Sequence, residues 1–452
     1  MSRVKLMRDT WALAIEALSW MQLHRISERL ALNRAVKQLG IEDAGSISLA
    51  FKLVCETTRR QNYIDHLLNH ALKPRSINDF KLGVQAFLRL YTYTTKIEKK
   101  TVNIREASTL ARLGRAVLGW RELQPLEETL GKILSLQPTL PLKGLNDEEK
   151  VSLQTYHPLW FVKYCFRLLG RKETLHMLES TKGTLPTYIR INTLKGAEKT
   201  LLKEMQNEGV SLTKVPMLHQ IYKVTGTPKP LTRTRSFENG LFYIQDKASC
   251  FAAEVASPKP GMTVLDICAA PGAKTSHLAQ LMKNRGCIYS VDYSRRRMSV
   301  WKREIKRMGV KMAEPILGDA TNPLPLNVEA DLVVLDPPCT GSGVFGRVPW
   351  SKWRLTKRSV ENMAKIQWAM INNCARHVKE KGFLVYSTCS ITLEENETLI
   401  ERFLKWHMDF RLVETLPKIG TPGLRGLIQC QRLYPHVHEC NGFFIAKLKK
   451  VE

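Results

Sequence analysis

Val264-Leu265-Asp266-Ile267-Cys268-Ala269-Ala270-Pro271-Gly272-Ala273-Lys274-Thr275 runs from a buried strand into a loop of small side chains and then into a helix. In an open α/β sheet this first crossover is where a nucleoside docks, because small side chains let a ligand approach the backbone and the amides at the helix start face a negative group. The stretch lacks G-x-G-x-x-G and a lysine in phosphate-loop context, so a dinucleotide or a triphosphate fits it poorly.

Outward from that turn, the rhythm of apolar strand, Gly or Pro turn and helical stretch repeats. Strands are predicted at Thr263 to Ile267, Ile288 to Val291, Glu314 to Leu317, Leu332 to Leu335, Phe383 to Ser387 and Phe443 to Leu448, the pattern of a parallel sheet with crossover helices. The fold class is α/β, with a Rossmann-like domain over residues 240–452. Before it, residues 151–237 mix helices at Trp160 to Leu169 and Glu198 to Glu208 with strands at Thr187 to Asn192 and Gln220 to Val224, a small α+β module. Residues 1–140 have helical periodicity. Trp11, Ala14, Ile15 and Leu18 share a face, as do Leu49, Leu53 and Val54, then Val84, Phe87, Leu88 and Tyr91. Pro138, Pro141, Gly144 and Asn146 mark a linker across Gln137 to Asp147.

Asp292 ends the second strand, where an acid can accept both ribose hydroxyls, and Asp319 follows the third, near the base. Any one of the acids Asp266, Asp292 and Asp319 could merely cap the helix that follows; together they form a nucleoside cradle. A cofactor with adenosine, a carboxylate and no phosphate matches it, S-adenosyl-L-methionine being the obvious candidate, its amino-acid part against the Cys268 to Lys274 loop.

Asp336-Pro337-Pro338-Cys339-Thr340-Gly341-Ser342-Gly343 follows the fourth strand, and Ser387-Thr388-Cys389-Ser390 follows the fifth. If those strands are parallel neighbours, Cys339 and Cys389 meet at the cofactor crevice. A free cysteine is more often a small buried hydrophobe, yet two at strand ends beside polar loops suit one chemistry well. Carbon 5 of a pyrimidine is a weak nucleophile; a thiolate adding to carbon 6 loads electron density into the ring, and a second base must then remove the carbon-5 proton. Lys274 would favour thiolate character, and Asp336 could bind the exocyclic amine of cytosine. An amino-group methyltransferase is the nearby competitor, but Cys339 stands where its loop carries an aromatic residue.

Residues Asp266 to Thr275, Asp336 to Gly343 and Tyr386 to Ser390, followed by Glu395-Asn396-Glu397, closely resemble the Sun/RsmB family of RNA cytosine-5 methyltransferases. Gly240 to Ser249, Arg190 to Lys195 and Gly442 to Ala446 also resemble family segments. The resemblance implies a Rossmann-like, S-adenosylmethionine-dependent domain preceded by a small RNA-binding module. It makes the residue matching Cys389 the nucleophile and the one matching Cys339 the aid to product release. It places Cys268, Ala269, Ala270, Pro271, Gly272, Ala273, Lys274, Asp292, Arg297, Asp319 and Asp336 at cofactor contacts. Ala273 departs from the family's usual glycine. More weakly, Arg59 to Asp65 and Leu88-Arg89-Leu90 resemble a NusB-type RNA-binding domain, which points to ribosomal rather than transfer RNA; a helical domain of this size could equally dock a protein.

The 69 Lys and Arg against 42 Asp and Glu, a net charge of +27, favour a polyanionic partner: nucleic acid first, a membrane surface second. With 44% apolar residues the chain fills real cores, which excludes a disordered basic tail. The apolar run Trp11 to Met21 is interrupted by Glu16 and reads as an amphipathic helix. Ten cysteines without a C-x-x-C pair suit a reduced, cytoplasmic chain, and no metal is expected. His436 and His438 lack further ligands around them. The cations at 295–297, 302, 303, 306 and 307 form either a phosphate-contacting or a solvated helix face. Trp350 and Trp353 either border an RNA channel or pack. The resulting expectation is an S-adenosylmethionine-dependent RNA cytosine carbon-5 methyltransferase, monomeric, acting on ribosomal RNA; a transfer-RNA enzyme and a non-catalytic assembly factor are the alternatives.

Overall fold

The computed structural model describes residues 3–98, 102–137 and 142–451, so the linker prolines Pro138 and Pro141 lie outside the described residues. The chain divides into two compact units: Met1–Gly183 with Phe345–Arg354, and Thr184–Val344 with Leu355–Glu452.

The first unit is helical. Trp11, Ala14, Ile15 and Leu18 of helix Arg3–His24 are buried with Val54, Val84, Phe87, Leu88 and Tyr91 in one core, while Leu49 is exposed. The buried Arg89 guanidinium holds Asp65 through two hydrogen bonds, of 2.7 and 3.0 Å. Helices Asp147–Thr155 and Leu159–Ser180 belong to this unit. Asn62 donates to the carbonyls of Ser152 and His157, and Phe161 packs on His157 and Phe345. The strand-bearing module expected from residue 151 therefore begins at Thr184. Trp350 and Trp353 take the packing role: the Trp350 amide donates to Glu28 at 2.7 Å, and the Trp353 indole donates to the Thr58 carbonyl at 2.7 Å.

The second unit holds two sheets. Strands β1 (Tyr188–Ile191), β2 (Ser211–Lys214), β3 (Ile221–Gly226) and β4 (Phe242–Ile244) form an antiparallel sheet in the order β2-β3-β1-β4. The larger sheet contains β5 (Thr263–Ile267), β6 (Cys287–Asp292), β7 (Ala313–Leu317), β8 (Ala330–Leu335), β9 (Val378–Thr388), β10 (Phe410–Val413), β11 (Thr421–Pro422), β12 (Gln431–Leu433) and β13 (Phe443–Lys450). Its order is β11-β12-β13-β9-β8-β5-β6-β7, with β10 beside β13. Strands β5 to β9 are parallel, whereas β13 runs antiparallel to β9. Alternation along the strands divides two cores: Val264, Leu332 and Val334 pack with Phe251 and Leu278 on one face, Leu265, Val333 and Leu335 with Ile371 and Phe403 on the other. Among the described residues no helix is long and apolar enough to cross a membrane.

Buried Arg190 on β1 donates to Gln245, Ser276 and Gln280, and Asn192 donates to the carbonyls of Gly240 and Met308. The small sheet is thus clasped to helix Ala273–Leu281, which starts at the small-residue loop.

Candidate active site

Parallel pairing of β6, β5, β8 and β9 brings their C-terminal ends to one edge of the sheet. Cys268 leaves β5 with φ +62°, Gly272 has φ +106°, and Ala273 opens the helix, a position where a methyl group is tolerated. A Cβ on Gly272 would stand 3.2 Å from Trp301, so the loop is seated directly on helix Arg295–Met308.

Asp292 is buried, and its carboxylate accepts from the Ser294 amide at 3.0 Å and the Ala270 amide at 3.3 Å. Arg297 bridges Asp292 to the Ala270 carbonyl, so the β5 loop and the end of β6 are one polar assembly. Asp319 is exposed and spends its carboxylate on Thr321 and Asn322 of its own turn.

Lys274, also buried, donates to Asp336 at 2.5 Å, and Ser387 donates to the other Asp336 oxygen at 3.1 Å. Burial opposes the charge of Lys274, but Asp336, Asp266 and Cys389 outweigh it and hold its pKa above the usual lysine value. Asp266, wholly buried, feels both charges of this pair; burial pushes it up to about 7, against the hydrogen bond from Thr275 at 2.6 Å.

The sulfurs of Cys339 and Cys389 are 2.7 Å apart, both as free thiols. The Cys389 hydrogen bond, burial and the nearby Glu395 and Asp336 charges push the Cys339 thiol well above the usual range. Either thiol can donate the hydrogen bond between them. Cys268 is pushed up to about 12, chiefly by burial, which makes it an inert thiol. The close approach needs glycine: a Cβ on Gly343 would lie 2.1 Å from the Gly442 carbonyl oxygen and 2.8 Å from that of Cys389.

The family described as 16S rRNA methyltransferase RsmB/F matches residues 253–449. A probable ribosomal RNA small subunit methyltransferase B from Synechocystis is 31% identical, across 88% of this chain and 90% of that protein. The chain belongs to the RsmB/F methyltransferase family. A Bacillus subtilis protein of the same description is 29% identical across 97% of this chain and 98% of its own. A tRNA (cytosine(72)-C(5))-methyltransferase from Pyrococcus horikoshii is 40% identical across 49% of this chain and 56% of its own. The solved structure of PH0851 superposes with a TM-score of 0.84 at 31% identity, covering 98% of this chain and 99% of that one.

In this RsmB/F methyltransferase the predicted Cys339, Cys389, Asp336 and Lys274 converge. The loop 268–274, Asp292 and Arg297 form a second cluster joined to them through the β5 turn. Sequence reasoning passed over Ser387, Gln367 and the role of Glu395, which contact the cysteine loops only in three dimensions. Among the described residues no cluster of three His, Cys, Asp or Glu is placed to hold a metal; the His438 Nδ1 accepts the Tyr434 amide at 2.9 Å.

Proposed function

We propose that this protein methylates carbon 5 of a cytosine in small-subunit ribosomal RNA, with S-adenosyl-L-methionine as donor and Cys389 as covalent nucleophile. The observation that carries this reading is the contact of two thiols at the ends of adjacent parallel strands, beside the ion pair of buried Lys274 with half-buried Asp336. Transfer to an amino group needs neither cysteine; ring-carbon transfer uses both.

The residues suit the donor. A carboxylate offers about four acceptor directions, and Asp292 retains capacity for ribose hydroxyls beside a loop whose glycine brings backbone close. Bound there, S-adenosylmethionine supplies an electrophilic methyl group. Cys389 adds to carbon 6 of the flipped-out base, with Lys274 as the neighbouring positive charge and Asp336 directed at the cytosine amine. Cys389 gives up its thiol proton as its sulfur bonds to carbon 6, which frees the neighbouring Cys339 sulfur from their mutual hydrogen bond. Cys339, having released its own thiol proton to solvent, then takes the carbon-5 proton, and the electron pair left behind re-forms the carbon 5–carbon 6 double bond as Cys389 leaves as a thiolate.

Ribosomal RNA is favoured because the small-subunit relatives align across the helical unit, whereas the transfer-RNA relative covers about half the chain. The helical unit is read as a NusB-like RNA-binding domain, and the small sheet as a second RNA contact. The test is transfer of labelled methyl to total RNA, with bisulfite mapping of the product. Wild-type protein should mark small-subunit ribosomal RNA and Cys389→Ala should mark nothing while still binding the donor. Label confined to transfer RNA moves the substrate there, and full turnover by Cys389→Ala rejects the nucleophile.

A further inference from the structure

Glu395 lies just beyond β9, fully buried, and its carboxylate collects five donors. Oε1 accepts from Ser390 Oγ at 2.6 Å, from Thr392 Oγ1 at 2.8 Å and from Thr340 Oγ1. Oε2 accepts from the Thr340 amide and from Gln367 Nε2, each at 2.9 Å. Gln367, itself fully buried, also donates to the Pro338 carbonyl at 3.0 Å. Both neighbours of Cys339 and the residue after Cys389 are therefore tied to one buried carboxyl group. A polar group is tolerated away from water only when its hydrogen-bonding capacity is satisfied, so the network favours a single arrangement of the two loops.

We propose that Glu395 is a positioning residue of the methyl-transfer site, holding the Cys339 loop against the Cys389 loop and thereby setting the approach of the two sulfurs. The proposal rests on the roles given to those cysteines above. Glu395 touches neither base nor donor; it acts through Thr340 and Ser390. Carbon 5 and carbon 6 are adjacent ring atoms, so the base acting on one and the sulfur bonded to the other must be held close together. A displacement of about 1 Å lowers turnover by roughly a hundredfold. The defect on loosening the network belongs in kcat, since RNA binding does not pass through this carboxylate.

The geometry can be read without methyl transfer. Dibromobimane bridges thiols that lie close together, and peptide mass mapping quantifies the Cys339–Cys389 bridge among the ten cysteines. Wild type, Glu395→Ala, Glu395→Gln and Thr340→Val are compared by bridging rate, by kcat and KM for RNA, and by thermal melting. Glu395→Ala should bridge and turn over at least about tenfold more slowly, with KM changed less than about twofold. Thr340→Val, which loses one donor, should fall between it and wild type, and Glu395→Gln, which keeps the shape, should recover most of both rates. If Glu395→Ala does not fold, Thr340→Val decides, with a loss of at least about threefold expected. Wild-type bridging and kcat in the folded variants overturn the proposal while leaving the methyltransferase reading intact. A bridging defect in the variants of a protein whose wild type methylates no RNA leaves the positioning in place and overturns that reading.

Discussion

Asp266 shows how the site is held at the scale of a single residue. Its carboxyl is fully buried, one oxygen accepting from Thr275 and the other without a hydrogen-bond partner. Its pKa, 3.8 ordinarily, is raised to about 7 by burial. A folded-state value above the unfolded one means that its proton stabilises the fold at low pH and that this stability is lost as pH rises between the two values. Asp266→Asn removes the titration. The unfolding free-energy advantage of that variant over wild type should grow from about pH 4 to pH 7, by at most about 1.4 kcal/mol per pH unit, and level off above. A gap independent of pH, followed by circular dichroism, contradicts this. Cys339, Cys389, Asp336 and Lys274 were legible in the sequence because each sits in a short stretch where a strand ends. Glu395 was not, because its partners Thr340 and Gln367 are 55 and 28 residues away and nothing local marks a carboxylate that closes two loops.

Among elements, the loop after β8 decides the approach of the cysteines. The Gly343 amide donates to the Cys389 carbonyl at 2.9 Å, and the Gly442 amide donates to the Gly343 carbonyl at 2.8 Å, so three loops meet with no room for a side chain. Gly343→Ala forces backbone apart rather than a flexible side chain. It should destabilise the protein by about 1–3 kcal/mol and lower kcat more than about tenfold; wild-type kcat at an unchanged melting temperature contradicts the packing argument. Strands β5, β6, β8 and β9 were readable because parallel strands covered on both faces are written as short apolar runs. The antiparallel direction of β13 was not, since hydropathy carries no strand direction. β2 escaped notice because Ser211, Thr213 and Lys214 are exposed, and β11 because it has two residues. The place of helix Asp147–Thr155 in the helical unit was not legible either: Asn62 donates to the Ser152 and His157 carbonyls, 90 and 95 residues away.

For the whole molecule, the +27 charge was plain in the composition, but which cations are free to meet RNA was not. On helix Arg295–Met308, Arg297 is engaged by Asp292 and Ala270, and Arg307 by Glu304 and the Phe237 and Phe242 carbonyls. Arg296, Lys302 and Arg303 are exposed. Reversing these three to glutamate should weaken RNA binding and reduce the slope of log affinity against log salt by about 0.7 for each phosphate no longer neutralised, with donor binding unchanged. Filter binding over a salt series checks it; an unaltered slope assigns that face to solvent.

The covalent step is tested most directly by Cys339→Ala, which retains the nucleophile and lacks the group that frees the product. Incubated with donor and RNA, then resolved on a denaturing gel and mapped by peptide mass spectrometry, it should accumulate an RNA adduct joined through the Cys389 sulfur. An adduct at any other residue, or none under conditions where wild type turns over, contradicts the account.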